Sequence, residues 1–291
     1  MNTTTLRLAT NLSYAVHEWE GPRTTTFVLV HGFTDLGRGW CEVAPLLAPH
    51  GHVIAPDLRG HGDSEWIGHG GYYHFMDYVA DLDDVIRQRA TGKLVLVGHS
   101  MGGSVASYYA GVRPDRVAAL VLVEGLGPPD LMGGEGPTRT AGWIDGWAAA
   151  RAKPAKLLAS LAEAAARIRR HDDRVPPALA EQLAVYSTRP APDGNGLVWK
   201  HDPLHATFGP YAYRLETAKQ YWARITCPVL AIDGARSRLN LPADERAARR
   251  AGFANMRHLE IEDAGHAVQR HQPAALAAAI LAHARAHERS S

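Results

Sequence analysis

Cysteine is nearly absent from the 291 residues: Cys41 and Cys227 stand far apart, with no Cys-x-x-Cys pair. That excludes a disulfide framework and a thiolate metal cluster. It predicts two isolated, buried thiols in a reducing compartment. Charge of one sign is absent too, with 31 Lys plus Arg against 30 Asp plus Glu. No nucleic-acid or acidic-membrane partner is expected from that balance. Lysine is scarce, 5 against 26 arginines, which reads as compositional bias. No apolar run approaches the ~20 residues that span a bilayer, and Met1–Arg7 lacks the layout of a signal peptide. The reading is a cytoplasmic protein without a membrane partner, in which the sequons at Asn2 and Asn11 carry no weight.

What is present is ordinary globular composition, 46% hydrophobic and 21% charged. Short β-branched apolar runs recur at 26–30, 52–55, 94–97, 120–123 and 229–232. Continuous apolarity, rather than alternation, marks strands covered on both faces, as in a parallel sheet. Helical stretches are predicted between and after them at about 38–48, 74–89, 102–112, 242–252 and 272–288. Two alternating segments, 5–10 and 12–19, predict an antiparallel edge hairpin. The class is α/β, with a mostly parallel central sheet and helices on both faces.

The alternation breaks between 127 and 225, where no strand of the earlier type is evident. A Gly/Pro-rich entry leads into Ala-rich helix at 141–171 and 177–187. The expected organisation is a core of 1–126 and 226–291 with a helical cap at 127–225. Aromatic residues are frequent there: Trp143, Trp147, Tyr186, Trp199, Phe208, Tyr211 and Trp222. They predict an apolar pocket over the site. The tail from His283 is expected to fray.

Gly98-His99-Ser100-Met101-Gly102 is a Gly-x-Ser-x-Gly between a predicted strand and a predicted helix. A serine on such a turn needs small neighbours, because the backbone is strained and other chains pass close. The helix N-terminus then aims N–H groups and a positive dipole end at an anion forming beside Ser100. His31-Gly32-Phe33 follows an earlier strand, Asp57 to Ser64 reads Asp-Leu-Arg-Gly-His-Gly-Asp-Ser, and Asp263-Ala264-Gly265-His266 follows a last strand at 259–261.

With these four motifs the chain resembles the α/β-hydrolase family over nearly its whole length, and in the cap it leans toward the serine-hydrolase-like branch. The resemblance implies Ser100 as nucleophile, His266 as general base, and an oxyanion hole from the backbone N–H groups of Phe33 and Met101. An imidazole of near-neutral pKa suits the removal of a serine proton. His31 and His99 read as structural residues buried beside the site. His50, His52 and the run 266–271 lack an evident carboxylate or thiol cluster, so no metal and no cofactor is expected. Gly68–Gly71 lacks the Lys and Ser/Thr of a phosphate loop.

The third triad member departs from the family pattern. Relatives carry Gly-x-x-Asp after the strand at 228–232, whereas this chain reads Gly234-Ala235-Arg236-Ser237. Serine cannot supply the negative charge that stabilises an imidazolium. Glu124, Asp233 and Asp263 are the alternatives. In some haloalkane dehalogenases and a few lactone hydrolases of this fold, the acid ends the strand that Glu124 ends here. Glu124 is therefore the leading acid and Asp233 the runner-up, and Asp263 more readily braces its own loop. The implied activity is serine-dependent cleavage of carboxylic esters, with a hydrophobic small-molecule ester as substrate and a monomer or homodimer as the unit. Lactonase, thioesterase or carbon–carbon bond hydrolase activity on the same triad, or a slow, receptor-like ligand binder, are the alternatives. Ser100 excludes dehalogenase and epoxide hydrolase chemistry, which needs a carboxylate nucleophile.

Overall fold

A computed structural model describes the chain except residues 69, 132–133, 154–155, 239–240 and 287–291. The elements run β1 (Asn2–Arg7), β2 (Ser13–Trp19), β3 (Thr25–Val30), α1 (Ala44–Leu47), β4 (His52–Pro56), α2 (Phe75–Arg89), β5 (Lys93–His99), α3 (Met101–Val112) and β6 (Ala119–Val123). Then follow α4 (Gly136–Ala152), α5 (Leu161–His171), α6 (Pro177–Ser187), β7 (Thr188–Pro190), β8 (Leu197–Trp199) and α7 (Leu215–Trp222). The chain closes with β9 (Val229–Gly234), α8 (Ala243–Arg250), β10 (Met256–Ile261), α9 (Val268–His271) and α10 (Pro273–Ala286). Eight strands form one sheet in the order β1-β2-β4-β3-β5-β6-β9-β10. β1 and β2 are antiparallel to each other and β2 to β4, while the remaining neighbours are parallel.

Alternate side chains of each central strand enter different cores, which is why the runs read as continuously apolar. Val28, Val30, Leu94, Leu96, Leu120 and Leu122 pack on one side with Leu82 and Ile86 of α2 and Val105 of α3. Phe27, Leu29, Val95, Val97, Val121 and Val123 pack on the other with Trp40, Leu47, Leu276 and Ile280. The segment between β6 and β9 has a third, smaller core of its own, in which Ala164 and Ala165 of α5 meet Leu179, Ala180 and Leu183 of α6.

Four local expectations are corrected. The helix predicted at 38–48 is a chain of short turns, Gly37–Trp40, α1 and Ala48–His50. Pro45 and Pro49 lack the N–H that would continue a helix, so each starts a new turn. The helix predicted at 141–171 is two helices, α4 and α5, the second started by Ser160, whose hydroxyl accepts from the Glu163 N–H at 3.2 Å. The segment also holds a small antiparallel pair, β7 and β8. The tail does not fray at 283–286, where α10 persists and His283 is buried; the rest of that expectation, like His69 of the glycine run, falls outside the described residues.

A buried ion pair ties the loop after β4 to α2. Arg59 grips Asp81 with two nitrogens, Nε at 2.6 Å and Nη2 at 2.8 Å, and Tyr14 donates its hydroxyl to the same carboxylate. Asp81 is fully buried. Arg59 also holds Asp77 at 2.8 Å, so loss of Asp81 leaves the guanidinium partly compensated, at the lower end of the roughly 3–5 kcal/mol typical of a broken buried pair. Asp81→Ala is expected to lower the unfolding free energy in urea titrations by about that amount, and a loss under 1 kcal/mol would deny the pair its structural weight.

Candidate functional site

Ser100 sits between β5 and α3 at φ 52° and ψ −119°, a conformation that a non-glycine residue rarely adopts. The backbone around it is crowded. A Cβ on Gly98 would collide with the Gly102 carbonyl, and one on Gly102 would collide with the carbonyl oxygens of Val30 and His31. α3 starts directly after the serine, so its N-terminal N–H groups converge there. A Cβ on Gly32 would lie 3.2 Å from the Ser100 Cβ, which places the loop after β3 against the serine. Phe33, half exposed, and Ser100 both line one cavity of about 540 Å³.

His266 lines the same cavity. Its Nδ1 donates to Oε2 of Glu124 at 3.2 Å, which leaves Nε2 as the basic nitrogen of the neutral ring. Glu124 directly follows β6 at φ 51° and its side chain is 6% exposed. The carboxylate also accepts from the Gly234 N–H and from the Ser237 hydroxyl, both at 2.8 Å. Ser237 therefore stands where a family acid is expected and hydrogen-bonds to the carboxylate that comes from the neighbouring strand.

The other acids are occupied elsewhere. Asp233, the runner-up, accepts from His258 Nε2 at 2.9 Å, so its carboxylate is turned away from His266. Side chains alternate faces along a strand, and Asp233 at the end of β9 lies on the wrong one. Asp263 pairs with Arg236 at 2.7 Å on the surface.

The loop bearing Phe33 is braced from behind. Thr34, at φ 58°, donates its N–H to His61 Nε2 at 3.2 Å, and His61 Nδ1 donates to the Arg59 carbonyl at 2.9 Å. His61 stacks on His205 at 4.2 Å, which in turn lies against Tyr73. Burial and neighbouring histidines hold His61 well below the usual imidazole range, and burial pushes His205 down to about 3. His31 accepts from the Leu58 N–H, and His99 Nε2 donates to the His266 carbonyl at 2.9 Å. Both rings are buried and depressed by desolvation, so both stay neutral near pH 7. Asp57 accepts from the Gly37 and Asp63 N–H groups and touches no part of the cavity.

Two expectations fail here. Of the seven aromatic residues expected over the site, Trp199 alone lines the cavity. Trp143 stacks on Trp147, Tyr186 lies under Arg38, Trp222 is buried against Phe253, and Phe208 and Tyr211 are exposed. Spacing along the chain could not separate residues packed into the core from residues facing the serine. The wall carries Arg167, Arg174, Arg236, Arg238 and Arg270 instead. Their only trace in the sequence was the overall excess of arginine over lysine, read there as compositional bias. The second failure concerns metal: His52 does have carboxylate neighbours, Glu18 and Glu20. Arg89 holds Glu18 at 2.6 Å and Arg23 holds Glu20 at 3.0 Å, so guanidinium groups already neutralise both.

A family model described as the alpha/beta hydrolase fold matches residues 25–270, and the chain belongs to that family. Among particular relatives, it is 29% identical over 280 residues to a 3-hydroxybutyrate-oligomer hydrolase of Cupriavidus necator, covering 91% of this chain and 90% of the other. Lipase LipV of Mycobacterium tuberculosis is 42% identical over 105 residues, 36% of this chain and 39% of LipV, so that match spans about two-fifths of the relative. Among solved structures, a thioesterase domain from the curacin biosynthetic pathway aligns with a TM-score of 0.83 at 27% identity, over 97% of this chain and 99% of that one. No helix among the described residues is long and apolar enough to cross a membrane.

The crowding around Ser100 has a direct test. Gly102→Ala forces a methyl into the backbone of β3, which cannot retreat as a flexible side chain can; a loss of about 3 kcal/mol or more is expected, at the upper end for overpacking. Gly142 in α4 meets nothing within 4 Å, so Gly142→Ala should instead add about 0.5–1 kcal/mol. Thermal melts of the two variants in parallel decide it, and equal melting temperatures would refute the crowding.

Proposed function

We propose that the protein is a serine hydrolase of carboxylic esters that works through an acyl-enzyme on Ser100. The observation that carries this is the Nδ1 bond of His266 to Glu124, in a cavity shared with Ser100 on its strained turn. Ser100 Oγ attacks the acyl carbonyl carbon while His266 Nε2 takes its proton. The Glu124 carboxylate orients the ring and stabilises the imidazolium. The backbone N–H groups of Phe33 and Met101 receive the developing oxyanion. The tetrahedral intermediate collapses, and His266 returns the proton to the departing alcohol. Water then gives a proton to His266 and its oxygen to the acyl carbon. The second tetrahedral intermediate collapses with cleavage of the bond to Ser100 Oγ, His266 returns the proton to that oxygen, and the carboxylic acid leaves. Residues 127–225 act as a cap on the core of 1–126 and 226–291.

Thioester cleavage is the second reading. It is favoured by the likeness to the thioesterase domain over nearly the full length of both chains. The same steps serve it with a thiol as leaving group.

Ser100→Ala should abolish turnover of 4-nitrophenyl esters and labelling by a fluorophosphonate without shifting the melting temperature by more than a few degrees. Glu124→Gln should lower kcat roughly 10³–10⁴-fold, the scale of neutralising a triad carboxylate. Asp233→Asn should change it by less than threefold. The reverse ranking, measured by steady-state kinetics on all three variants, would remove Glu124 from the mechanism.

A further inference from the structure

The cavity at Ser100 is walled by guanidinium groups from two separate parts of the chain. Arg167 of α5 and Arg174 of the turn after it come from the inserted segment. Arg236 and Arg238 follow β9, and Arg270 lies in α9. Three of these have carboxylate partners: Arg167 with Glu163 at 2.5 Å, Arg236 with Asp263 at 2.7 Å, and Arg270 with Asp35 at 2.7 Å. Of the acids in the wall, Asp172 is held by His271 at 2.8 Å. Asp173 is the one acid of the wall without an ion pair among the described residues. Arg174 and Arg238 likewise have no carboxylate partner among the described residues, so unpaired cations outnumber the unpaired acid.

Arg174 is placed to meet a ligand. One of its terminal nitrogens donates to the Arg236 carbonyl at 3.3 Å, which fixes the guanidinium while most of its five N–H groups stay unused. The same nitrogen would stand 2.8 Å from a Cβ on Gly265, the residue before His266. A planar guanidinium matches a carboxylate through two parallel hydrogen bonds. We infer that Arg174 and Arg238 form an anion subsite beside Ser100, and that the preferred substrate carries a carboxylate on its acyl or leaving group. This rests on the acyl transfer proposed above and names its substrate class. It replaces the hydrophobic ester expected from the aromatic count.

The test pairs esters that differ in that charge. 4-Nitrophenyl hemiadipate is compared with 4-nitrophenyl hexanoate, and 4-(carboxymethyl)phenyl acetate with 4-methylphenyl acetate. At low ionic strength the carboxylate member of at least one pair should show kcat/KM at least tenfold higher. That preference should shrink several-fold in 0.5 M NaCl, where charges on the open cavity wall are screened. In the Arg174→Gln, Arg238→Gln double variant the ratio within the preferred pair should fall at least tenfold. Equal or reversed preference in both pairs, or a loss shared equally by charged and neutral esters, would overturn the subsite. In either case the neutral-ester rate and phosphonate labelling of Ser100 would still support the hydrolase. Absence of turnover on all four esters together with no labelling would overturn both. The salt arm uses the unaltered protein and decides the matter even if the double variant misfolds.

Discussion

The close approach of backbones at the end of β5 is the constraint on which the rest of the site depends. Gly98 and Gly102 leave no room for side chains between β5, α3 and the carbonyl oxygens that end β3. Gly103 is pressed in the same way against Gly125, just past β6. Bare backbones can therefore meet at one corner of the sheet, and the turn at Ser100 is held in a conformation that serine alone would not choose. The ends of β3, β5 and β6 then lie side by side. Gly32 and Phe33, Ser100, and Glu124 are the residues carried there.

A carboxylate can reach His266 from that corner because β6 and β9 are hydrogen-bonded neighbours. Moving the acid from the turn after β9 to the end of β6 shifts it by one strand spacing, about 5 Å. The glutamate side chain, one methylene longer than aspartate, spans part of that gap. The small Ser237 leaves the carboxylate space and supplies a donor to it. Three donors, from Gly234, Ser237 and His266, satisfy an anion whose side chain is nearly buried, as burial of charge demands.

Residues between β6 and β9 share the cavity wall and a buried stack of rings with the rest of the chain. His205, which lies between β8 and α7, stacks on His61, and His61 holds the N–H of Thr34 next to Phe33. Tyr73 adds a bond to Asp202 at 2.9 Å, and Asp202 donates its N–H to the Gly60 carbonyl. The geometry of the loop after β3 thus depends on residues more than a hundred positions later.

The sequence by itself determined a mostly parallel sheet flanked by helices, because strands buried on both faces must be continuously apolar and glycines must punctuate the turns at 60–62 and 98–103. Ser100 and His266 as candidates, and the absent aspartate at 237, were legible through the resemblance of their short motifs to the α/β-hydrolase family. Glu124 was reached through the precedent of family members whose acid ends the same strand, and the pairing of β6 with β9 puts its carboxylate on His266. The tertiary structure decided what no local pattern encodes. It turned Asp233 toward His258, sent six of the seven aromatic residues away from the cavity, and gathered arginines from positions 167 to 270 into one wall. Each of these depends on which face of an element packs inward and which distant segment it meets. Periodicity assigns residues to faces, but only packing decides what each face encounters.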